Sequence, residues 1–170
     1  MCSSDLLRDS SGNVVSLALT LSGATHTTTS PQTRPSGLVV ARTIVASGRF
    51  LTYTDVFSNP TGSAIETTAW FGGDLGSDSN TDVGGTSSGD TTVTDADTWV
   101  VTYQNDVPGC EACADPVVGT ERVSATNATF TGWVQNVGSS TPFAPFQTYL
   151  SARYSLTVPA GGSATLVHRV

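Results

Sequence analysis

The stretch Leu150-Ser151-Ala152-Arg153-Tyr154-Ser155-Leu156-Thr157-Val158 decides the fold. Leu150, Ala152, Tyr154, Leu156 and Val158 alternate strictly with Ser151, Arg153, Ser155 and Thr157. Successive side chains of a strand point to opposite faces, so this period of two describes a strand with one face in a core and the other toward water. Pro159-Ala160-Gly161-Gly162 supplies a turn, and residues 163–170 read as the returning strand. The spacing predicts a β-hairpin within one sheet.

The same pattern recurs upstream. Residues 38–46 and 49–57 are apolar-rich runs joined through Ser47-Gly48, a hairpin signal. In the second run Leu51, Tyr53, Asp55 and Phe57 share one face. Asn59-Pro60-Thr61-Gly62 is a turn, because proline presets φ and glycine supplies the unusual backbone. Residues 63–71 follow as a strand with Ile65, Thr67, Ala69 and Phe71 on one face and Glu66 and Trp70 on the other. Residues 98–103 form another, in which Trp99, Val101 and Tyr103 alternate with Val100 and Thr102. Between Phe71 and Thr98 lies an acidic run of Gly, Ser, Thr and Asp, which reads as one long turn-rich loop held by two aromatic anchors. Shorter strands at 122–125 and 128–134 flank Thr126-Asn127. Many short strands with turn signals between them predict an all-β fold, an antiparallel β-sandwich of immunoglobulin-like or jelly-roll-like type.

Three segments are expected. Residues 1–6, Met1-Cys2-Ser3-Ser4-Asp5-Leu6, resemble the translation of a common sequencing adapter and are expected to be non-native. Residues 7–36 hold an N-terminal strand and a Pro/Thr-rich connection. Here Val15, Leu17, Leu19 and Leu21 alternate with polar or small residues, which argues for a strand over a signal h-region. Residues 37–170 form the sandwich module, expected to be truncated because Val170 stops within an apparent strand.

Seven arginines face fourteen acids, with no lysine, giving a net charge of −7. That balance argues against binding nucleic acid or an anionic membrane by charge. No apolar run approaches the ~20 residues of a membrane helix.

Asn59-Pro60-Thr61, Asp74-Leu75-Gly76-Ser77-Asp78, Thr86-Ser87-Ser88-Gly89-Asp90, Asp97-Thr98-Trp99-Val100-Val101-Thr102 and Tyr154-Ser155-Leu156-Thr157-Val158-Pro159-Ala160-Gly161-Gly162 occur in this order. From residue 38 to 170 the chain resembles β-sandwich modules of large secreted or surface bacterial proteins, often found beside immunoglobulin-like repeats. The resemblance implies an extracellular or cell-surface location and neighbouring modules of the same polypeptide as partners, and it carries over no established catalytic residues.

The residues themselves offer four candidate chemistries. Asp78, Asn80 and Asp82, with Asp90 further on, have the alternating oxygen ligands of a calcium loop. Val83 stands where an EF-hand needs glycine, and Gly89 where it needs glutamate, so a solvated loop is the competing reading. Cys110 and Cys113 form a C-x-x-C pair between Pro-Gly and Asp-Pro flanks. A redox motif would need a βαβ setting and zinc would need four ligands, which leaves a small structural disulfide as the favoured reading. Trp70, Trp99 and Trp133 offer a sugar-stacking platform or ordinary packing. Glu66, Glu111 and Glu121 show no spacing that makes a glycosidase pair, and His26 and His168 stand without a nucleophile motif. Two functions follow from this: a non-catalytic structural or adhesive module, or a carbohydrate-binding module, the latter with calcium as its one conceivable cofactor.

Overall fold

The computed structural model describes residues 6–8, 15, 17–74, 81–104, 117–136 and 149–170. Every regular element among these is a strand: β1 (Leu6–Arg8), β2 (Leu19–Ser22), β3 (Thr25–Thr28), β4 (Gln32–Thr33), β5 (Val39–Ser47), β6 (Phe50–Ser58), β7 (Ile65–Asp74), β8 (Thr81–Thr86), β9 (Trp99–Gln104), β10 (Val118–Thr126), β11 (Ala128–Asn136), β12 (Tyr149–Val158) and β13 (Ser163–Arg169). A narrow sheet runs β1-β7-β12-β11, and a wide one runs β2-β3-β5-β6-β13-β10-β9-β8 with β4 beside β5. All pairings are antiparallel. The chain is an antiparallel β-sandwich.

In β6 and β12 burial follows the alternation of the sequence except at Leu51, which is exposed, and Ser151, which is buried. In β12 Leu150, Ala152, Tyr154, Leu156 and Val158 are buried, and in β6 Tyr53, Asp55 and Phe57 are. With Leu38, Val40, Ala69, Ala164 and Leu166 they form the core between the sheets. Each such leucine, valine or phenylalanine side chain contributes roughly 1.5–3 kcal/mol by leaving water, and each alanine less.

β12 and β13 are not a hairpin. β12 pairs with β7 and β11 in the narrow sheet, and β13 pairs with β6 and β10 in the wide one. Alternation specifies one buried face, and two strands facing each other across a core satisfy it as well as two neighbours in a sheet. The chain makes the same step from β6 to β7 and from β10 to β11. The three crossings sit together and are tied by asparagines. Asn59 Nδ2 donates to the carbonyls of Ser63 and Val158 at 2.8 and 3.0 Å, and Asn127 Nδ2 donates to that of Ser163 at 2.7 Å. Asn127 adopts φ of 52°, a left-handed conformation that asparagine tolerates better than most residues.

Two further expectations change. The long loop contains β8, an edge strand paired with β9, despite the two glycines Gly84 and Gly85 and a register shift between Val83 and Gly85. Cross-strand bonding overrides the low strand propensity of glycine there. Residues 17–36 belong to the sandwich itself: β3 pairs with β5, and Val15 is buried in the core. Leu6 to Arg8 pair with β7 at Gly72 to Trp70.

Candidate functional site

Asp97 organises the loop that precedes β9. Its Oδ1 accepts from the Ser87 hydroxyl at 3.1 Å and from the Ser88 amide and hydroxyl at 3.0 and 2.6 Å. Its Oδ2 accepts from the Thr94 amide and hydroxyl at 2.8 and 2.9 Å. These bonds, led by the Ser88 hydroxyl, favour the ionised form and hold the buried carboxyl well below the usual carboxylate range. The Asp97 carbonyl accepts from Trp133 Nε1 at 2.9 Å and from Arg122 Nε at 3.1 Å. Asp95 Oδ1 accepts from the Trp133 amide at 3.1 Å. The loop is thereby fastened to both sheets, and β9 begins two residues later.

This anchoring sets the position of Trp99. Val100 and Thr102 point into the sandwich, so Trp99, Val101 and Tyr103 lie on the outer face of the wide sheet. One cross-strand row there reads Thr52, Arg169, Glu121, Trp99 across β6, β13, β10 and β9. The adjacent row reads Gly119, Val101, Gly85 across β10, β9 and β8. Glycines on both sides of Val101 leave a low floor beside the aromatic ring. The result is an open concavity of about 210 Å³ lined by Phe50, Trp99, Val101, Gly119, Glu121 and Arg169. Phe50 is 54 % exposed and Trp99 and Tyr103 are each 38 % exposed. Arg169 Nη1 donates to Glu121 Oε2 at 3.0 Å, and its guanidinium lies 5.3 Å from the Phe50 ring centre. Apolar ring faces and a hydrogen-bonding ion pair therefore share one surface.

The three tryptophans do not form a single platform. Trp70 stands between the inward-facing Ala69 and Phe71, hence on the outer face of the narrow sheet opposite Arg153. Trp133 packs against the core, 5.8 Å from Phe130 in edge contact, because a bulge between Phe130 and Gly132 rephases β11. Trp99 alone is on the wide sheet's outer face. Sequence reasoning missed its companions Phe50 and Arg169, because only strand register brings residues 50, 99 and 169 together.

Among the calcium candidates, Asp82 and Asp90 are not neighbours. Asp82 pairs with Tyr103 near the start of β8, and Asp90 lies beyond its end. The four-residue step from 82 to 86 alone spans roughly 13 Å. Asp90 Oδ1 is engaged by the Thr86 hydroxyl at 3.1 Å and the Thr92 amide at 2.9 Å. Among the described residues no three His, Cys, Asp or Glu side chains group as metal ligands. Asp78, Asn80, Cys110 and Cys113 lie outside the described residues.

The interior holds a second polar group. Arg42 donates from Nε and Nη2 to the two Asp55 oxygens at 2.7 and 2.9 Å, with both residues buried. His168 stacks on Phe71 at 3.9 Å, and its Nε2 meets the Tyr154 hydroxyl at 2.9 Å. Its Nδ1 has no hydrogen-bond partner among the described residues. Burial, then the charges of Arg42 and Arg122, push the imidazole down to about 3. Burial pushes Tyr154 up to about 12. Both side chains are neutral at pH 7 and closed to solvent, which makes them packing elements.

No family model matches the sequence, and no curated protein matches it. Among solved structures, the chain is similar to a mutant of the heparan sulfate lyase HepC from Pedobacter heparinus, with a TM-score of 0.51 and 11 % identity. The likeness covers 96 % of this chain and 21 % of that one, so it corresponds to about a fifth of the lyase chain. At this identity the likeness is one of fold.

Proposed function

We propose that this chain is a non-catalytic carbohydrate-binding module of a larger extracellular bacterial protein, with the outer face of the wide sheet as its binding face. The observation that carries the reading is the concavity where Trp99 and Phe50, both substantially exposed, stand beside the Glu121–Arg169 pair. A sugar ring offers an apolar face of C–H groups and a rim of hydroxyls. An indole or phenyl ring covers the first, and a carboxylate and guanidinium bond the second. The likeness to a lyase named for heparan sulfate supports a setting in which this fold serves polysaccharides. Among the described residues Glu121 is the one acidic side chain in the lining, and it is tied to Arg169, which supports binding over hydrolysis. Neighbouring modules of the same polypeptide are proposed as its other partners.

The competing reading, a structural or adhesive module, takes the same fold and gives the concavity no ligand. Affinity electrophoresis through gels containing soluble polysaccharides separates the two. Retardation of the parent chain that is lost in Trp99→Ala, with an unchanged melting midpoint, is the expected result. Equal mobility in every gel would leave the structural reading.

A further inference from the structure

Resting on the carbohydrate reading, we infer that this face selects uncharged glycan chains and lays them across the strands, over the Gly85–Val101–Gly119 floor.

The floor row crosses β8, β9 and β10 and carries no charge. On one side stands the row with Trp99, Glu121 and Arg169. On the other stands Tyr103 opposite Asp82. Trp99 and Tyr103 are four residues apart on one strand, on the order of 13 Å along it, and flank the floor row as the two margins of a trough, of which only the Trp99 side belongs to the concavity. A chain of sugar rings laid along the floor would meet rings on both margins.

The charges around the trough decide which chain it takes. Glu121 and Asp82 are carboxylates on its two margins, and the guanidinium in its lining, Arg169, is already bonded to Glu121. The whole chain carries −7. A sulfated or uronate-bearing polymer would bring its anions against carboxylates and a net negative field, which slows encounter and opposes binding. Hydroxyls of a neutral glycan instead accept from Arg169 and donate to Glu121 without carrying charge into the site. The chemistry thus differs from what the name of the fold neighbour describes, although the sandwich is shared.

Gly119 offers a way to block the floor. A Cβ there would meet Val101 Cγ2 at 3.7 Å, an ordinary contact, so a larger side chain fills the trough without a backbone clash. The experiment is affinity electrophoresis of the whole chain in xylan, glucomannan and dextran, and in heparan sulfate and alginate, each at low and high salt. The parent should be retarded by at least one neutral polymer with dissociation constants roughly tenfold or more below those for the anionic ones. Gly119→Val and Trp99→Ala should lose that retardation, and Glu121→Gln should gain affinity for the anionic polymers. Tighter, salt-sensitive binding of heparan sulfate or alginate would overturn the charge selectivity while leaving carbohydrate binding intact. Neutral-glycan binding undisturbed by Gly119→Val and Trp99→Ala would overturn the placement on this floor. No retardation in any gel would overturn the carbohydrate reading together with the selectivity.

Discussion

Acidification from pH 7 to 5 should destabilise this protein through one residue, His168. The imidazole is wholly buried, stacked on Phe71, bonded at Nε2 to Tyr154, and faced by the guanidinium groups of Arg42 and Arg122. It titrates in the fold at about 3, against the ordinary 6.5 of an unfolded chain. Between those values the unfolded chain binds a proton that the folded chain does not. Stability is therefore full above the unfolded value and falls as pH drops through that window. The limiting slope is about 1.4 kcal/mol per pH unit, and the fall from pH 7 to 5 comes to about 2 kcal/mol. Asp97, also shifted downward, contributes its own loss only below about pH 5, where an unfolded aspartate begins to take up protons. The pH 5–7 window thus isolates the histidine. Urea unfolding at several pH values, for the parent and for His168→Gln, measures the slope, and comparing slopes is independent of how much the substitution itself costs. A nitrogen-detected titration of the parent gives the second readout, with the His168 ring expected to stay neutral through pH 5. Flat parental stability across the window, an unaltered slope in the variant, or a ring that titrates near 6.5 would each refute the reasoning.

The buried Arg42–Asp55 pair predicts an asymmetry: Arg42→Ala should cost about 3–5 kcal/mol by stranding a carboxylate, while Arg42→Met with Asp55→Leu should cost far less, as denaturation midpoints will show. Gly72 sits at φ of +145°, where a Cβ would meet the Leu150 carbonyl oxygen and come within 2.6 Å of Ser151 Cα; Gly72→Ala should lose roughly 3 kcal/mol or more in urea unfolding by forcing β7 from β12. Melting curves with calcium and with chelator should coincide, because Asp82 and Asp90 stand apart and Asp90 is committed to Thr86 and Thr92; a calcium shift abolished by Asp78→Ala would establish a cation site.

The sequence by itself determined which residues are inside. Period two in 150–158, 53–57 and 69–71 carries the buried face directly, because side-chain direction in a strand is local, whereas Leu51, on the same face by alternation, is exposed. The turns at Ser47-Gly48, which the structure sets one residue later at 48–49, and at 159–162 were legible for the same reason: Gly48 and Gly161 have φ near 61° and 65°, conformations that L side chains rarely adopt. Tertiary structure alone decided which strands are neighbours. β12 and β13 look like a hairpin in sequence and lie in opposite sheets, since a face that needs burial does not say what buries it. β8 exists only because β9 is beside it. The candidate site follows the same logic. Trp99 stood out in the sequence, whereas Phe50, Glu121 and Arg169 become its neighbours only through the register of β6, β13, β10 and β9. Register is a property of pairs of strands distant in sequence, set by the packing of the whole sandwich, and no single stretch of residues contains it.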